Sequence, residues 1–356
     1  MNGEFARLAV PGVARDVEVC LPEVHDAIAH ELRIGAYELP AAARLVLAFV
    51  TPGARVLDLG AHLGTVALAA AARGGRVLAI EASPRNATCL EASARRNGFD
   101  LTVRNVAVGD RAGAVRFHEE GPYGRVASAD DAEAVEVTML PASALVEVNG
   151  WDGVDVVKID VEGYELVVLD GLRPLLTAED APPVVFEANR HVLAPRGIEP
   201  SAVVAAFADL GYETYFVGEG TLVRADVYTF QPETVADYLA IKPGVEKPWP
   251  VRDAPGDAEL ASRVAAEAGS SLPEARAALG GALATAPRSL LAQPAVERAL
   301  EALTIDADAS VANAASWWPA WRHGRAARRG SLAAITDGWR ALADSATALT
   351  PEHVRR

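Results

Sequence analysis

The stretch that decides the fold is Val56–Gly64, V-L-D-L-G-A-H-L-G. It predicts an apolar strand containing Asp58, then a turn with glycines at Gly60 and Gly64, then an alanine-rich helix. In open α/β sheets, nucleotide-like cofactors bind at the carboxyl ends of the strands. We therefore expect this turn to expose backbone N–H groups and the Asp58 carboxylate to a cofactor.

A second strand and its following turn supply the other half of the expected site. The run Arg76–Ile80 is apolar and is followed by Glu81, and Ser83 and Pro84 are typical of the first positions of a helix. An acidic residue after the second strand can accept hydrogen bonds from ribose hydroxyls in NAD sites and in S-adenosylmethionine sites alike.

The glycine spacing favours S-adenosylmethionine over NAD. NAD sites usually read G-x-G-x-x-G because the pyrophosphate needs close backbone approach, whereas Gly60–Gly64 contains two glycines. A carboxylate at Asp58 would repel a pyrophosphate, but it suits a sulfonium and an amino group. An ordinary strand–turn–helix without a ligand is the remaining alternative.

Helical and strand patterns alternate along the chain, which predicts a doubly wound, mostly parallel sheet with right-handed crossovers. A closing hairpin, Glu213–Val217 with Leu222–Phe230, would supply one antiparallel strand. The predicted helices are 40–50, 65–73, 84–97, 164–176 and 201–210, and the other predicted strands are 55–59, 76–80, 101–108, 115–118, 135–139, 154–160 and 184–187.

A second polar constellation is Val157–Glu165, V-K-I-D-V-E-G-Y-E. Asp160 should end the strand beside Val56–Gly64, so its carboxylate and that of Glu162 would face the cleft. Two carboxylates there can orient a substrate hydroxyl or take its proton. Glu165 is more typical of an acidic residue in the first turn of a helix. Carboxylates also suit divalent cations, but no third ligand is evident, so we expect no metal.

Two further residues are candidates for a base. Glu187 ends the next predicted strand, and His191 follows it in E-A-N-R-H. A lone histidine in a loop is more often a surface or packing residue, and the position of His191 at the carboxyl edge of the sheet is what favours a catalytic role.

These residues together resemble a known family. The run Val154–Leu172 is very similar to the signature of the FkbM family of S-adenosylmethionine-dependent methyltransferases, and G-A-Y-E (Gly35–Glu38), Val56–Gly64 and R-N-V-A-V-G-D (Arg104–Asp110) resemble it in the same order. The resemblance covers roughly residues 30–245 and ends with D-Y-L-A-I (Asp237–Ile241), after the last predicted strand.

The resemblance implies a class I methyltransferase (Rossmann-like) fold of seven strands, one of them antiparallel. It implies S-adenosyl-L-methionine as cofactor, with S-adenosyl-L-homocysteine as product, and methylation of oxygen on sugars or natural products. It also implies that the loop after the third strand flanks the adenine. The expected cofactor-binding residues are Glu38, Asp58, Gly60, Ala61, His62, Gly64, Glu81, Ala82, Asn105, Ala107 and Asp160.

His62 departs from the family pattern, which usually has asparagine there. Its side chain would contact the methionine carboxylate of the cofactor or cap the following helix.

Composition restricts the class of protein. The 356 residues are 51% hydrophobic, which suffices for a substantial core. The sequence shows no long apolar run and no signal-peptide pattern, so we expect a cytoplasmic protein. Cys20 and Cys89 are too few for a disulfide framework. The net charge is −15, and residues 251–356 contain 12 arginines and 12 acidic residues. This acidic body disfavours nucleic acid and suits a small-molecule acceptor.

We divide the chain into four parts. Residues 1–34 would form a cap on the substrate side, 35–245 the methyltransferase domain, 246–258 a proline-rich linker and 259–356 a helical extension. Four tryptophans in the extension neighbour several arginines, a mixture that can bind RNA or an acidic membrane. We favour packing on the body or in a homodimer, with no nucleic acid or membrane partner. The predicted helices of the extension are 259–268, 273–283, 293–303 and 331–349.

The sequence thus predicts an S-adenosylmethionine-dependent methyltransferase of natural product biosynthesis. One alternative is an inactive scaffold that keeps the fold, and a weaker one is an NAD-dependent oxidoreductase.

Overall fold

The computed structural model describes residues 4–24, 26–119, 124–127, 134–226 and 232–319. The chain forms two compact units. One comprises Met1–Thr229 with Val235–Ala254, and the other comprises Phe230–Thr234 with Pro255–Arg356.

The first unit is built on a nine-stranded sheet. The strands of this unit are β1 (Glu4–Leu8), β2 (Val17–Leu21), β3 (Arg55–Leu59), β4 (Arg76–Ile80), β5 (Leu101–Arg104), β6 (Ala107–Gly109), β7 (Gly113–His118), β8 (Arg125–Val126), β9 (Val135–Pro141), β10 (Val156–Ile159), β11 (Val184–Asn189), β12 (Glu213–Val217), β13 (Leu222–Ala225), β14 (Val235–Ile241) and β15 (Val251–Arg252). Its helices are α1 (Ala27–Ile34), α2 (Ala41–Ala48), α3 (Thr65–Ala72), α4 (Pro84–Asn97), α5 (Ala142–Val148), α6 (Glu165–Leu176), α7 (Arg190–Leu193) and α8 (Pro200–Asp209).

The order of strands across the sheet is β15-β13-β12-β14-β11-β10-β3-β4-β5. Strands β5, β4, β3, β10 and β11 are parallel. The chain enters this sheet at β3, continues outward through β4 to β5, and later returns to the other side of β3 with β10. The switch point between β3 and β10 is where such sheets bind ligands.

The doubly wound α/β fold expected from the sequence is confirmed, but its antiparallel strand comes from a different segment. Strand β14 lies between β11 and β12 and is antiparallel to both. It contains Asp237–Ile241, which the sequence analysis placed after the last strand. Strand β12 is the last of the seven expected strands, and β13 and β15 form an additional edge beyond it.

The predicted strand Leu101–Val108 is two strands. It breaks at Asn105, whose side-chain amide donates to the carbonyl oxygens of Glu81 and Ala82 at 2.8 and 3.0 Å. Because this amide holds the chain against the turn after β4, β5 ends in the main sheet and β6 starts a second, four-stranded sheet, β6-β9-β7-β8.

Both faces of the main sheet are covered by apolar side chains. Helix α3 packs on one face and seven of its eight residues are buried, from Thr65 to Ala71. Its alanines let the helix approach the sheet closely. On the other face, Phe186, Phe207 and Tyr238 stack with ring centroids 4.6 and 4.9 Å apart. This packing fixes the carboxyl ends of β3, β4, β10 and β11 relative to one another.

The second unit has a helical core. Its helices are α9 (Asp257–Ala268), α10 (Pro273–Ala282), α11 (Arg288–Leu291), α12 (Pro294–Thr304) and α13 (Ala309–Ala314). Three correspond to helices expected from the sequence. The core includes Leu279, Leu300 and Trp318. The expected helix 331–349, which contains Trp339, lies outside the described residues, and so does Trp321. Within the described ranges, none of the helices has the length and apolar character needed to cross a membrane.

Candidate active site

A cavity of about 320 Å³ lies at the carboxyl ends of β3, β4, β10 and β11. The turn before α1 and the second sheet complete its walls. Of the residues predicted from the sequence, those that line the cavity are Gly60, His62, Glu81, Ala82, Ala107, Asp160, Glu162 and Glu187. The other predicted residues lie outside this lining, and they are Glu38, Asp58, Ala61, Gly64, Asn105 and His191. Their assigned roles stay predictions.

Most backbone N–H groups of the turn Gly60–Gly64 donate to acceptors within the protein. The N–H groups of Gly60 and Ala61 both donate to the Ile80 carbonyl oxygen at 3.0 Å. The N–H of Gly64 donates to the Ala61 carbonyl oxygen at 2.8 Å. The N–H of His62 donates to a carboxylate oxygen of Glu81 at 2.7 Å. His62 has a φ of 52°, in the left-handed region. Four of the five N–H groups of the turn are therefore already used within the protein.

Asp58 is fully buried. Its carboxylate lies 3.5 Å from the amino group of Lys158, its partner in the strand register. Burial raises the pKa of Asp58 despite this cation. The aspartate therefore faces the lysine beneath the turn and is not part of the cavity wall.

Lys158 is a site residue that the sequence analysis missed. Its amino group donates to the Gly60 carbonyl oxygen at 3.0 Å and lies 3.1 Å from the Asp160 carboxylate. Burial lowers the pKa of Lys158, but the carboxylates of Asp160 and Asp58 raise it more, so the lysine is held charged. A single lysine within the apolar run of β10 was the available signal.

Glu81 lies where the sequence placed it, just after β4. It is 6% exposed, and it accepts hydrogen bonds from the N–H groups of His62 and Ser83 at 2.7 and 2.8 Å. Burial raises its pKa. Each carboxylate oxygen has a second lone pair, so Glu81 can still accept from ligand hydroxyls.

The far end of the cavity is acidic. Oxygen atoms of Asp160, Glu162 and Glu187 lie within 4.8 Å of one another. Burial, and secondly the charge of Asp160, raise the pKa of Glu162 to about 8. The same two causes raise the pKa of Glu187 well above its ordinary value and that of Asp237, opposite it on β14, to about 7.

Glu187 also bears on the expectation of no metal, which rested on the apparent lack of a third ligand. The structure brings a third carboxylate beside Asp160 and Glu162, and carboxylate oxygens suit hard cations. That reason for excluding a metal therefore does not hold, and the expectation stays a prediction.

Asp26 was also missed, although it lies in the segment expected on the substrate side. It is 3% exposed and caps α1 by accepting from the N–H of Ala29 at 2.8 Å. Its other oxygen lies 2.9 Å from Nε2 of His62. Burial raises the pKa of Asp26, but the hydrogen bonds from His62 and the backbone lower it by more. The net pKa is below the ordinary value, so the group is ionised. Both side chains line the cavity.

The opposite end of the cavity is largely apolar. Val106, just before the second sheet, and Val108, Phe117 and Val126 on that sheet lie there. Glu119 closes the rim and bonds to the Ser83 hydroxyl and to Arg85, the latter at 3.0 Å. Such a surface suits a flat aromatic ring.

The strand order β5-β4-β3-β10-β11-β14-β12, with a cavity at the switch point, defines a class I methyltransferase fold. Residues 58–214 match the sequence model of the methyltransferase FkbM domain. The resemblance to the FkbM family of S-adenosylmethionine-dependent methyltransferases that the sequence motifs indicated is therefore confirmed for this part of the chain.

The chain is also similar to solved structures. A SAM-dependent methyltransferase from Agrobacterium tumefaciens is 12% identical over 68% of this chain and 71% of that one, with a TM-score of 0.39. A TehB-like SAM-dependent methyltransferase from Corynebacterium glutamicum is 15% identical over 60% and 93%, with a TM-score of 0.36. A precorrin-6y C5,15-methyltransferase from Geobacter metallireducens is 14% identical over 56% and 87%, with a TM-score of 0.33. No curated protein matches the chain.

Proposed function

We propose that the protein transfers a methyl group from S-adenosylmethionine to a hydroxyl oxygen of a small molecule, such as a sugar or another natural product. The observation that carries this proposal is the group of carboxylates at the ends of β10 and β11, inside the cavity of a methyltransferase fold. An alcohol holds its proton tightly, so a nearby carboxylate that accepts the proton assists methyl transfer.

The residues along the sheet edge fit the cofactor in one orientation, with the adenine and the amino-acid tail at opposite ends. The apolar end at Val106 and Ala107 suits adenine, and Glu81 suits the ribose hydroxyls. The turn at Gly60 would then lie beside the amino-acid tail. The cofactor supplies an activated methyl group on a sulfonium, which acidic walls favour.

Within this arrangement Glu162 is the preferred base. Its pKa of about 8 means that the carboxylate binds a proton firmly near neutral pH. Such a pKa, close to the working pH, is favourable for general base catalysis. Asp160, held by Lys158, would orient the acceptor hydroxyl, and Glu187 would share the proton with Glu162.

The test is methyl transfer from labelled S-adenosylmethionine to a panel of sugars and hydroxylated natural products. We expect S-adenosylhomocysteine to bind the purified protein and labelled methyl ethers to form. Glu81→Gln should weaken binding, and exposed Glu179→Gln should not. Binding without turnover on any acceptor would favour the inactive scaffold, and binding of NADH in place of S-adenosylhomocysteine would favour the oxidoreductase.

A further inference from the structure

We infer that Asp26 and His62 form the binding site for the α-carboxylate of the cofactor, with His62 as the donor and Asp26 as the residue that positions it. The inference rests on the proposed use of S-adenosylmethionine. It assigns a cofactor-binding role to the N-terminal segment and gives a specific reason for the histidine at position 62.

The order of the strands determines where the amino-acid tail of the cofactor lies. If the adenine occupies the apolar end and the ribose meets Glu81 after β4, the next strand along the sheet is β3. The turn Gly60–Gly64 follows β3, so the tail reaches this turn before the acidic end at β10 and β11.

The second step is that an anion at this turn needs a donor. Four of the five N–H groups of the turn, those of Gly60, Ala61, His62 and Gly64, donate within the protein. The described lining contains six acidic residues, namely Asp26, Glu81, Glu119, Asp160, Glu162 and Glu187.

The basic side chains among the described lining residues are Arg85 and His62. Arg85 is paired with Glu119 beyond the ribose position, at 3.0 Å. His62 is therefore the basic group situated at the tail.

The third step is the state of the imidazole. Asp26 is ionised and accepts at both oxygens, from Ala29 and from Nε2 of His62. Nε2 must then carry a proton, and the second ring nitrogen, Nδ1, is left for a ligand. A protonated ring can donate through both nitrogens and bridge two carboxylates, that of Asp26 and that of the cofactor. The charged groups that face His62 are Asp26, before α1, and Glu81, after β4.

The test compares two ligands by calorimetry. S-adenosylhomocysteine contains the carboxylate, whereas 5′-methylthioadenosine has the same nucleoside and sulfur without the amino-acid tail. His62→Asn retains a residue that tolerates the left-handed backbone at φ 52°. We expect this variant to bind S-adenosylhomocysteine about tenfold or more weakly, because one charge-assisted hydrogen bond is lost. Its affinity for methylthioadenosine should stay within about twofold of the wild-type value.

Asp26→Asn keeps the helix cap, because asparagine caps as well as aspartate does. It removes the carboxylate charge beside the imidazole but keeps an oxygen that accepts from Nε2, so we expect a smaller loss of affinity for S-adenosylhomocysteine. The matched control is Glu23→Gln, an exposed carboxylate in the same turn, which should change nothing.

Each alternative result has a separate meaning. Equal losses for both ligands would show that the pair only shapes the turn, and unchanged affinities would show that it makes no contact with the tail. Either result overturns the inference. If the wild type binds neither ligand, the proposed function itself fails.

Discussion

Gly60 shows, at the scale of one residue, how the turn Gly60–Gly64 is constrained. Its φ is 77°, and a Cβ atom here would overlap the carbonyl oxygen of Asp160 at the end of the neighbouring strand. We expect Gly60→Ala to lower the free energy of unfolding by at least ~3 kcal/mol, because strained backbone and a backbone clash add. Urea denaturation measures this loss.

Gly53 provides the control for the Gly60 substitution. Its φ is 87°, and a Cβ atom there would meet no atom within 4 Å. Gly53→Ala should therefore cost about 1–2 kcal/mol, the strain alone. Equal costs for the two variants would mean that the close approach to Asp160 does not constrain the turn.

Glu162 gives a prediction about catalysis. A base must be ionised to accept a proton, and the pKa of Glu162 is raised to about 8. We therefore expect kcat/KM to rise with pH up to about 8 and then level off. Glu162→Gln should lower kcat by about 10²–10⁴-fold and remove this rise. Steady-state kinetics from pH 6 to pH 9.5 measures both.

The control for Glu162 is its buried neighbour Glu165. Burial raises the pKa of Glu165 to about 7, but the residue does not line the cavity. Glu165→Gln should keep the pH profile of the wild type. If the rise disappears in this variant and persists in Glu162→Gln, the assignment of the base is wrong.

The sequence revealed those site residues that lie in local motifs. Glu81, Asp160 and Glu162 follow strands with a clear apolar pattern, so their place at the sheet edge was predictable. Asp26 and Lys158 were not found, because their roles depend on partners 36 residues away at His62 and 98 residues away at Gly60. A pattern in one segment does not show which distant segment will contact it.

At the scale of elements, the pattern predicted where most strands lie but not how all of them are arranged. The apolar runs Arg55–Leu59 and Arg76–Ile80 coincide with β3 and β4. The run Leu101–Val108 looks continuous, yet the amide of Asn105 divides it between two sheets. The position of β14 was also missed, because its insertion between β11 and β12 depends on long-range pairing alone.

The insertion of β14 predicts the cost of removing one side chain. Tyr238 is 2% exposed and lies between Phe186 and Phe216, with ring centroids 4.9 and 4.8 Å away. Tyr238→Ala should lower the free energy of unfolding by about 3–5 kcal/mol, since a large cavity is left between strands. Val251→Ala on β15, where the side chain is 49% exposed, should cost less than about 0.5 kcal/mol. Comparable losses in urea denaturation would contradict a central position for β14.

At the scale of the whole molecule, negative charge is concentrated where the proposed chemistry takes place. The formal charge of −15 belongs to residues 1–250, because the later residues balance 12 arginines against 12 acidic residues. Part of this charge is buried around the cavity, where Glu162, Glu165 and Asp237 have pKa values of about 8, 7 and 7. The sequence showed the acidity, but not that these carboxylates converge.

This buried acidity predicts how stability depends on pH. A carboxyl group whose pKa is raised in the folded state keeps its proton where the unfolded chain has released it, so it stabilises the fold most below the unfolded pKa of about 4.5. That stability is lost as pH rises through the folded values, about 7 and 8. Groups with a lowered pKa, such as Asp26 and Asp155, also stabilise the fold. Their contribution is lost only when the pH falls below their ordinary pKa of 3.8. The ligand-free protein should therefore be less stable at pH 8.5 than at pH 5.5, by about 2 kcal/mol or more in urea denaturation.

Asp237→Asn separates this cause from the general effect of net charge. The substitution removes one buried charge and keeps the shape of the side chain on β14, whereas Asp209→Asn removes an exposed charge at the end of α8. We expect Asp237→Asn to flatten the decline between pH 5.5 and pH 8.5, because asparagine cannot release a proton there. Asp209→Asn should leave the slope unchanged. Equal slopes in all three proteins, or stability that increases with pH, would mean that ionisation of the cavity carboxylates does not oppose folding.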